Sequence, residues 1–286
     1  MIGQRLATRL RSQGHWVRGV DIAPPGRGAD VDEFIRADLR DPSACAIALD
    51  PLPDTDDREI WHLAAVTGPI ASSGDALADN VRIDANVASS AVRFDYRRLL
   101  YASSTAAATS VANGAEPATR GLADNGWSKL TGERIVAAVA DRVPALVARL
   151  GSCYGPEEDA QPGSVTDLCR RVADASSGDT LEVTAGVEQA FLWVDDAIEA
   201  LLILMESSQP APVNIVGAEL TTPQQLAELL CQVSGKTLRL ATGPAMMPCP
   251  GNLDDSAITN LGWRPTTALA EGVRRLYEMV DEAKGT

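Results

Sequence analysis

Asn125-Gly126-Trp127-Ser128-Lys129-Leu130-Thr131-Gly132-Glu133 reads as the start of a helix. Beyond it Leu130, Ile135, Val136 and Val139 recur on one side of a helical wheel, with the charges of Glu133 and Arg134 between them. Two strand-like runs flank this segment: Leu99-Leu100-Tyr101-Ala102-Ser103-Ser104-Thr105 before it and Ala145-Leu146-Val147-Ala148-Arg149-Leu150 after it. An apolar strand ending in hydroxyls, a helix carrying a lysine and a second apolar strand make the layout of an active-site edge in a parallel sheet. Alone on a helix, Lys129 would read as a solvated surface group. The strands on either side give it weight.

Composition narrows the classes. A chain of 286 residues holds one large domain, or a domain with a smaller lobe, and a hydrophobic content of 45% supplies a sizeable core. No uncharged apolar run reaches membrane-spanning length, and the start, Met1-Ile2-Gly3-Gln4-Arg5-Leu6, turns polar at once, unlike a signal peptide. Cys45, Cys153, Cys169, Cys231 and Cys249 are scattered with no Cys-x-x-Cys pair, so reduced thiols in a cytoplasmic protein are expected. A net charge of −14 opposes nucleic-acid and anionic-membrane partners, which require basic patches. A small-molecule substrate remains, and no metal site is read from the sequence.

Along the chain, residues 2–13 read as a helix stopped by Gly14, and Trp16-Val17-Arg18-Gly19-Val20-Asp21 as a strand ending in an acid. Phe34-Ile35-Arg36-Ala37-Asp38-Leu39 and Ile60-Trp61-His62-Leu63-Ala64-Ala65 give two further strands with their exits. In this order the elements predict an α/β protein with a Rossmann-like doubly wound parallel sheet and a small C-terminal α/β lobe.

The ordered motifs resemble the extended short-chain dehydrogenase/reductase family, in its NAD-dependent sugar epimerase and dehydratase branch. The resemblance implies a Rossmann-like nucleotide-binding domain of residues 1–152, with a contribution from about 187–212, and a mainly substrate-binding lobe of residues 153–186 and 213–286. It runs from Ile2 to about residue 280. It includes His62-Leu63-Ala64-Ala65, Asn86-Val87, Arg149-Leu150-Gly151-Ser152-Cys153-Tyr154-Gly155-Pro156, Phe191-Leu192-Trp193-Val194-Asp195-Asp196 and Leu261-Gly262-Trp263-Arg264-Pro265. It implies that NAD is held by Gly3, Asp21, Asp38, Leu39, Leu63, Ala64, Ala65, Asn86, Ser103, Lys129 and Tyr154, with core packing as the other reading of Tyr154. An acid at Asp21 would accept from the adenine ribose hydroxyls and prefers NAD over a 2′-phosphorylated cofactor. His62 is read as structural, Asp195 and Asp196 as helix-capping, and residues 157–163 as a loop able to cover a substrate. The stretch from Val87 to Arg98 is shorter than is usual there. A homodimer through paired helices is a further implication.

Three departures from the family pattern matter. The catalytic set is Thr105, Lys129 and, at the tyrosine position, Asn125. An asparagine amide neither takes a proton near neutral pH nor passes one on, which leaves Tyr101, Tyr154 and a water at Asp124 as substitute bases to weigh. Ala190 and Met247-Pro248-Cys249-Pro250-Gly251 stand where arginines for a nucleotide diphosphate are usual. Of the glycine-rich turn that grips a pyrophosphate, only Ile2-Gly3 is present, and the strand before it is missing. Met1 is accordingly read as internal to a longer reading frame. The sheet is expected to show a gap or a substitute element in the slot of that strand. The readings carried forward are an NAD-dependent epimerase/dehydratase with impaired redox chemistry, a non-redox or ligand-binding relative on the same fold, and a degenerate or incompletely recorded member.

Overall fold

The computed structural model describes all residues but 25–29, 52–56, 67–73, 113–121, 157–162, 187, 210–211, 246–252 and 285–286. The chain divides into one unit of residues 2–150 and 201–214 and a second of Met1, 151–200 and 215–286.

In the first unit, α1 (Ile2–Ser12) buries Leu6 and Ala7 and ends before Gly14, whose φ of 89° suits a residue without a Cβ. Strand β1 (Arg18–Asp21) pairs in parallel with β2 (Glu33–Arg36), Val20 opposite Ile35. Helix α2 (Pro42–Ala48) starts where Asp41 accepts from the Ser43 and Ala44 amides and Pro42 opens the first turn. Then come β3 (Glu59–His62), α3 (Gly74–Arg93), β4 (Arg98–Ser104), α4 (Thr105–Ala112), α5 (Leu122–Ala137) and β5 (Ala145–Leu150). Leu99, Tyr101 and Val147 of the sheet pack with Ile83, Val87 and Ala91 of α3 and Val136 of α5. The exit from α3 is the tight turn of residues 94–97, with Asp95 at a φ of 51°.

This sheet comes in two pieces. Strands β3, β4 and β5 run in parallel, with β9 (Val213–Ile215) outside β5. Among the described residues β1 pairs only with β2 and β3 only with β4, so no strand joins β1 to β3. Within each piece the pairing of β1 with β2, β3 with β4 and β4 with β5 is parallel, as expected from the sequence.

In the second unit, β6 (Ser152–Tyr154) lies parallel to β8 (Gln189–Trp193), which β10 (Leu220–Thr221) flanks antiparallel. Strand β7 (Thr180–Ala185) pairs with β11 (Arg239–Ala245). Helices α6 (Val165–Asp174), α8 (Pro223–Ser234) and, after the short α9 (Ser256–Asn260), α10 (Leu269–Glu282) enclose Leu168, Val172, Leu226, Leu230, Val273 and Leu276. Thr222 and Gln225 form a reciprocal capping box on α8. Asp195 and Asp196 open α7 (Val194–Glu206) as structural acids: Asp195 accepts from Trp193 Nε1 at 3.0 Å. Asp196 accepts from Thr266 Oγ1 at 2.7 Å and the Thr267 amide at 2.9 Å, while its carbonyl accepts from Trp263 Nε1 at 3.1 Å. These bonds tie the start of α7 to residues 263–267, within the second unit.

No described helix is long and apolar enough to cross a membrane. Cys45, Cys153, Cys169 and Cys231 are free thiols, and burial pushes Cys169 up to about 12. Cys249 lies outside the described residues.

Candidate functional site

The face that α5 turns inward is not the apolar one. Gly126, Lys129, Gly132, Glu133 and Val136 are buried at helical spacing, whereas Leu130 and Ile135 are only half-buried. Of the side chains the sequence placed on the inner stripe, Val136 alone is fully inside. The helix also begins at Leu122, three residues before the expected start. Glu133, a charge between the apolar positions, is 5% exposed.

Burying such groups is tolerable only with partners, and each has them. Glu133 takes two bonds from Arg149 on β5, Nε at 2.7 Å and Nη2 at 2.6 Å, and a third from Ser103 Oγ on β4 at 2.6 Å. Lys129 Nζ donates to the Ala102 carbonyl at 2.8 Å and sits 5.0 Å from the centre of the Tyr101 ring. Burial lowers the proton affinity of Lys129, while the charges of Asp84 and Glu133 push it back up. On α3, Asp84 accepts from Tyr101 OH at 3.1 Å and lies 2.8 Å from His62 Nε2. His62 is thus a buried member of the framework, as read from the sequence.

Gly132 makes the packing possible. A Cβ built there would overlap the Tyr101 hydroxyl and Asp84 Oδ2. Gly132→Ala is therefore expected to destabilise the chain by about 1–3 kcal/mol through overpacking, seen as a lower denaturant midpoint. An unchanged midpoint would mean that the Tyr101–Asp84 pair can retreat from the helix.

Thr105 is fully buried at the first residue of α4, directly after β4. Asn125 lies on α5 one turn before Lys129, and its side chain, like that of Asp124, is outside the described residues. Tyr101 is excluded as the substitute base. Burial, and then the adjacent Asp84, drive its pKa far up, so the phenol keeps its proton at neutral pH. Tyr154 keeps its proton as well. It is buried in the core of the second unit, edge-on to Phe191 and Trp193, and burial raises its pKa too. The loop at 157–162 and the segment 247–251 are outside the described residues.

A second cluster lies at the carboxyl ends of β1, β2 and β3. Asp21 ends β1 exposed, its carboxylate accepting from the Ala23 amide at 2.9 Å. Asp38 is held by Arg40, which also bonds Asp79 on α3 at 2.8 Å, and the guanidinium keeps the Asp38 carboxyl below the usual range. Leu39 is core, and Asn86 Nδ2 donates to the Leu39 and Arg40 carbonyls at 2.8 and 3.1 Å. Leu63, Ala64 and Ala65 follow β3 half-buried. Just beyond them Asn80 clasps both backbone groups of Val66, accepting from its amide at 2.7 Å and donating to its carbonyl at 3.2 Å. Gly3, in the first turn of α1, faces Leu63: a Cβ there would meet Leu63 Cδ1 at an ordinary 3.6 Å. Helix α3 thus fixes the exits of β2 and β3, and the amino end of α1 also lies against the exit of β3. An exposed acid, small residues and a helix amino terminus are the groups a dinucleotide requires. The residues present fit the adenosine side of NAD, while of the turn for its pyrophosphate only Ile2-Gly3 is present.

Asp84, Glu133, Arg149, Asn80 and Arg40 escaped the sequence reading. One signal was available for Asp84: it falls on the stripe Asn80, Ile83, Asp84, Val87, Ala88 and Ala91 that α3 buries.

The fold and these strand ends define a Rossmann-type, dinucleotide-binding α/β protein. The profile described as the NAD dependent epimerase/dehydratase family matches residues 1–216, and the chain belongs to that family. GDP-mannose 3,5-epimerase 1 of Oryza sativa subsp. indica is 24% identical over 310 residues, spanning 98% of this chain and 79% of that protein. The probable GDP-L-fucose synthase 1 of Oryza sativa subsp. japonica is 28% identical over 278 residues, spanning 88% and 79%. Among solved structures, UDP-glucose 4-epimerase of Thermotoga maritima with UDP-glucose gives a TM-score of 0.83 at 19% identity, covering 100% of this chain and 96% of that one. The Thermus thermophilus UDP-glucose 4-epimerase in complex with NAD gives 0.80 at 20% identity, covering 99% and 96%.

Proposed function

We propose that the chain holds NAD along the ends of β1, β2 and β3, takes a sugar nucleotide or a related small molecule, and is impaired in the tyrosine-based redox step of its family. The observation that carries this reading is Asn125, one helical turn before the buried Lys129 on α5. Asp21 would accept from the adenine ribose hydroxyls, and Asp38 and Leu39 would border the adenine. The backbone at Leu63, Ala64 and Ala65, steadied by Asn80, would approach the dinucleotide, with Gly3 at the amino end of α1. Asn86 acts from behind, by fixing the Leu39 and Arg40 carbonyls. Ser103 and Lys129 belong to the nicotinamide side, and Thr105 would donate to the reacting oxygen. Bound NAD supplies a hydride acceptor. What this chain lacks is the group that removes the substrate proton.

Support for the substrate class comes from the relatives, whose names specify GDP- and UDP-linked sugars. The second reading, a non-redox or ligand-binding protein on the same fold, is favoured by Asn125 together with Ala190, which stands where a phosphate-binding arginine is usual. A homodimer in the cytoplasm completes the proposal.

Calorimetric titration tests it. Residues 1–286 carry no glycine-rich turn before Ile2, so NAD is expected to bind them weakly or undetectably. A polypeptide extended before Met1 by a strand and such a turn should bind measurably. Tight NAD binding by residues 1–286 alone would overturn the expectation of impaired binding.

A further inference from the structure

Asp84 has no task in the reaction outlined above, yet it is placed against the lysine that does. It is 2% exposed on α3, and both of its oxygens are engaged, Oδ1 beside His62 Nε2 at 2.8 Å and Oδ2 accepting from Tyr101 OH at 3.1 Å. Those two bonds fix the carboxylate on the side of the Tyr101 ring and Gly132. Lys129 is 8% exposed, with its nitrogen 5.0 Å from the centre of that ring and a single described hydrogen bond, to the Ala102 carbonyl.

The titratable and charged groups packed around this amine come from five elements: Asp84 from α3, His62 from β3, Tyr101 from β4, Arg149 from β5, and Glu133 from α5 itself. They are not equivalent. Glu133 is matched by the two-bonded guanidinium of Arg149, so much of its field is cancelled within the pair. Asp84 has an imidazole and a phenol as its partners, and among the described residues no guanidinium or ammonium bonds it directly. A buried carboxylate that no guanidinium or ammonium bonds directly and a buried ammonium without a bonded anion share one tyrosine as neighbour. Each is the other's counter-charge.

We propose that Asp84, aimed by His62 and Tyr101, is a positioning residue that keeps Lys129 in its ammonium form inside the fold. The role of that charge, to hold the nicotinamide ribose and the reacting oxygen, rests on the function proposed above; the coupling between the two residues does not. Burial works against the ammonium form, and the charge of Asp84 is the first of the influences that work for it. His62 and Tyr101 serve by holding Asp84, the imidazole from the strand that leads to Leu63-Ala64-Ala65. The cofactor-facing end of β3 is thereby joined to the lysine through one carboxylate.

The test uses an unusual feature of the sequence: Lys129, Lys236 and Lys284 are its only lysines. In the full chain labelled with carbon-labelled lysine at Cε, three resonances report the three amines, and Lys236→Arg and Lys284→Arg assign them. Asp84→Asn is expected to lower the midpoint of the Lys129 resonance by about one pH unit or more, a tenfold loss of proton affinity. Tyr101→Phe, which removes one of the two groups aiming Asp84, should lower it less. An unchanged Lys129 midpoint in folded Asp84→Asn would overturn the proposal. Should that variant not fold, stability decides: Lys129→Met strands the buried carboxylate, so Lys129→Met/Asp84→Asn should unfold at higher denaturant than Lys129→Met alone. A double variant no more stable than Lys129→Met would sink the pairing. Neither measurement needs NAD or substrate, so its failure and that of the proposed function are told apart.

Discussion

Asn125→Tyr is expected to raise NAD-linked turnover of a UDP- or GDP-sugar by about 10²–10⁴, the usual worth of a positioned general base. The measurement belongs in a polypeptide extended before Met1 by a strand and a glycine-rich turn, so that cofactor binding does not mask the effect. Two losses would otherwise multiply, because the base sets proton removal and the pyrophosphate cradle positions the nicotinamide. The geometry favours the result. Position 125 lies one turn of α5 before Lys129, and Thr105 starts α4 beside the same strand end. The substituted tyrosine would meet the lysine and hydroxyl that the family uses. Lys129→Ala should abolish the gain. If Asn125→Tyr changes nothing while the unsubstituted extended chain already turns over, another base is at work and the site assignment fails. Tyr101 would not be that base, since burial and Asp84 hold its proton in place.

The order of strands and the position of Lys129 could be read from the sequence because both rest on local patterns. Apolar runs such as Leu99-Leu100-Tyr101-Ala102 and Ala145-Leu146-Val147-Ala148 identify strands buried on both faces.

The inner face of α5 was not legible. Apolar periodicity put Leu130, Ile135 and Val139 on one side of the helix with Glu133 between them, and the structure buries Lys129, Gly132 and Glu133 more fully than those three. A carboxylate is buried only when its partners are supplied. Here they are Ser103 and Arg149, 30 positions before it and 16 after it. No window along the helix contains that information. The same holds for Asn80 and Val66, whose clasp joins a helix to a strand exit 14 positions earlier.

That buried face also carries the largest stability effect expected of this chain. Glu133→Ala is expected to cost about 3–5 kcal/mol, the usual result of removing one partner from a buried pair. The loss is not a measure of the attraction between Glu133 and Arg149. It arises because Arg149, with 17% of its side chain exposed, keeps its charge while losing both of its bonds to the carboxylate. Ser103 Oγ loses its acceptor in the same step. The double change Glu133→Leu/Arg149→Met should recover much of the loss, since apolar groups of similar volume leave no charge behind. Urea unfolding of the three chains checks both expectations. A Glu133→Ala midpoint within error of the unsubstituted chain would show that water replaces the carboxylate at β4 and β5. A double variant as unstable as Glu133→Ala would show that the pair is needed for the shape it imposes on α5, and with it for the placing of Lys129, rather than for neutrality.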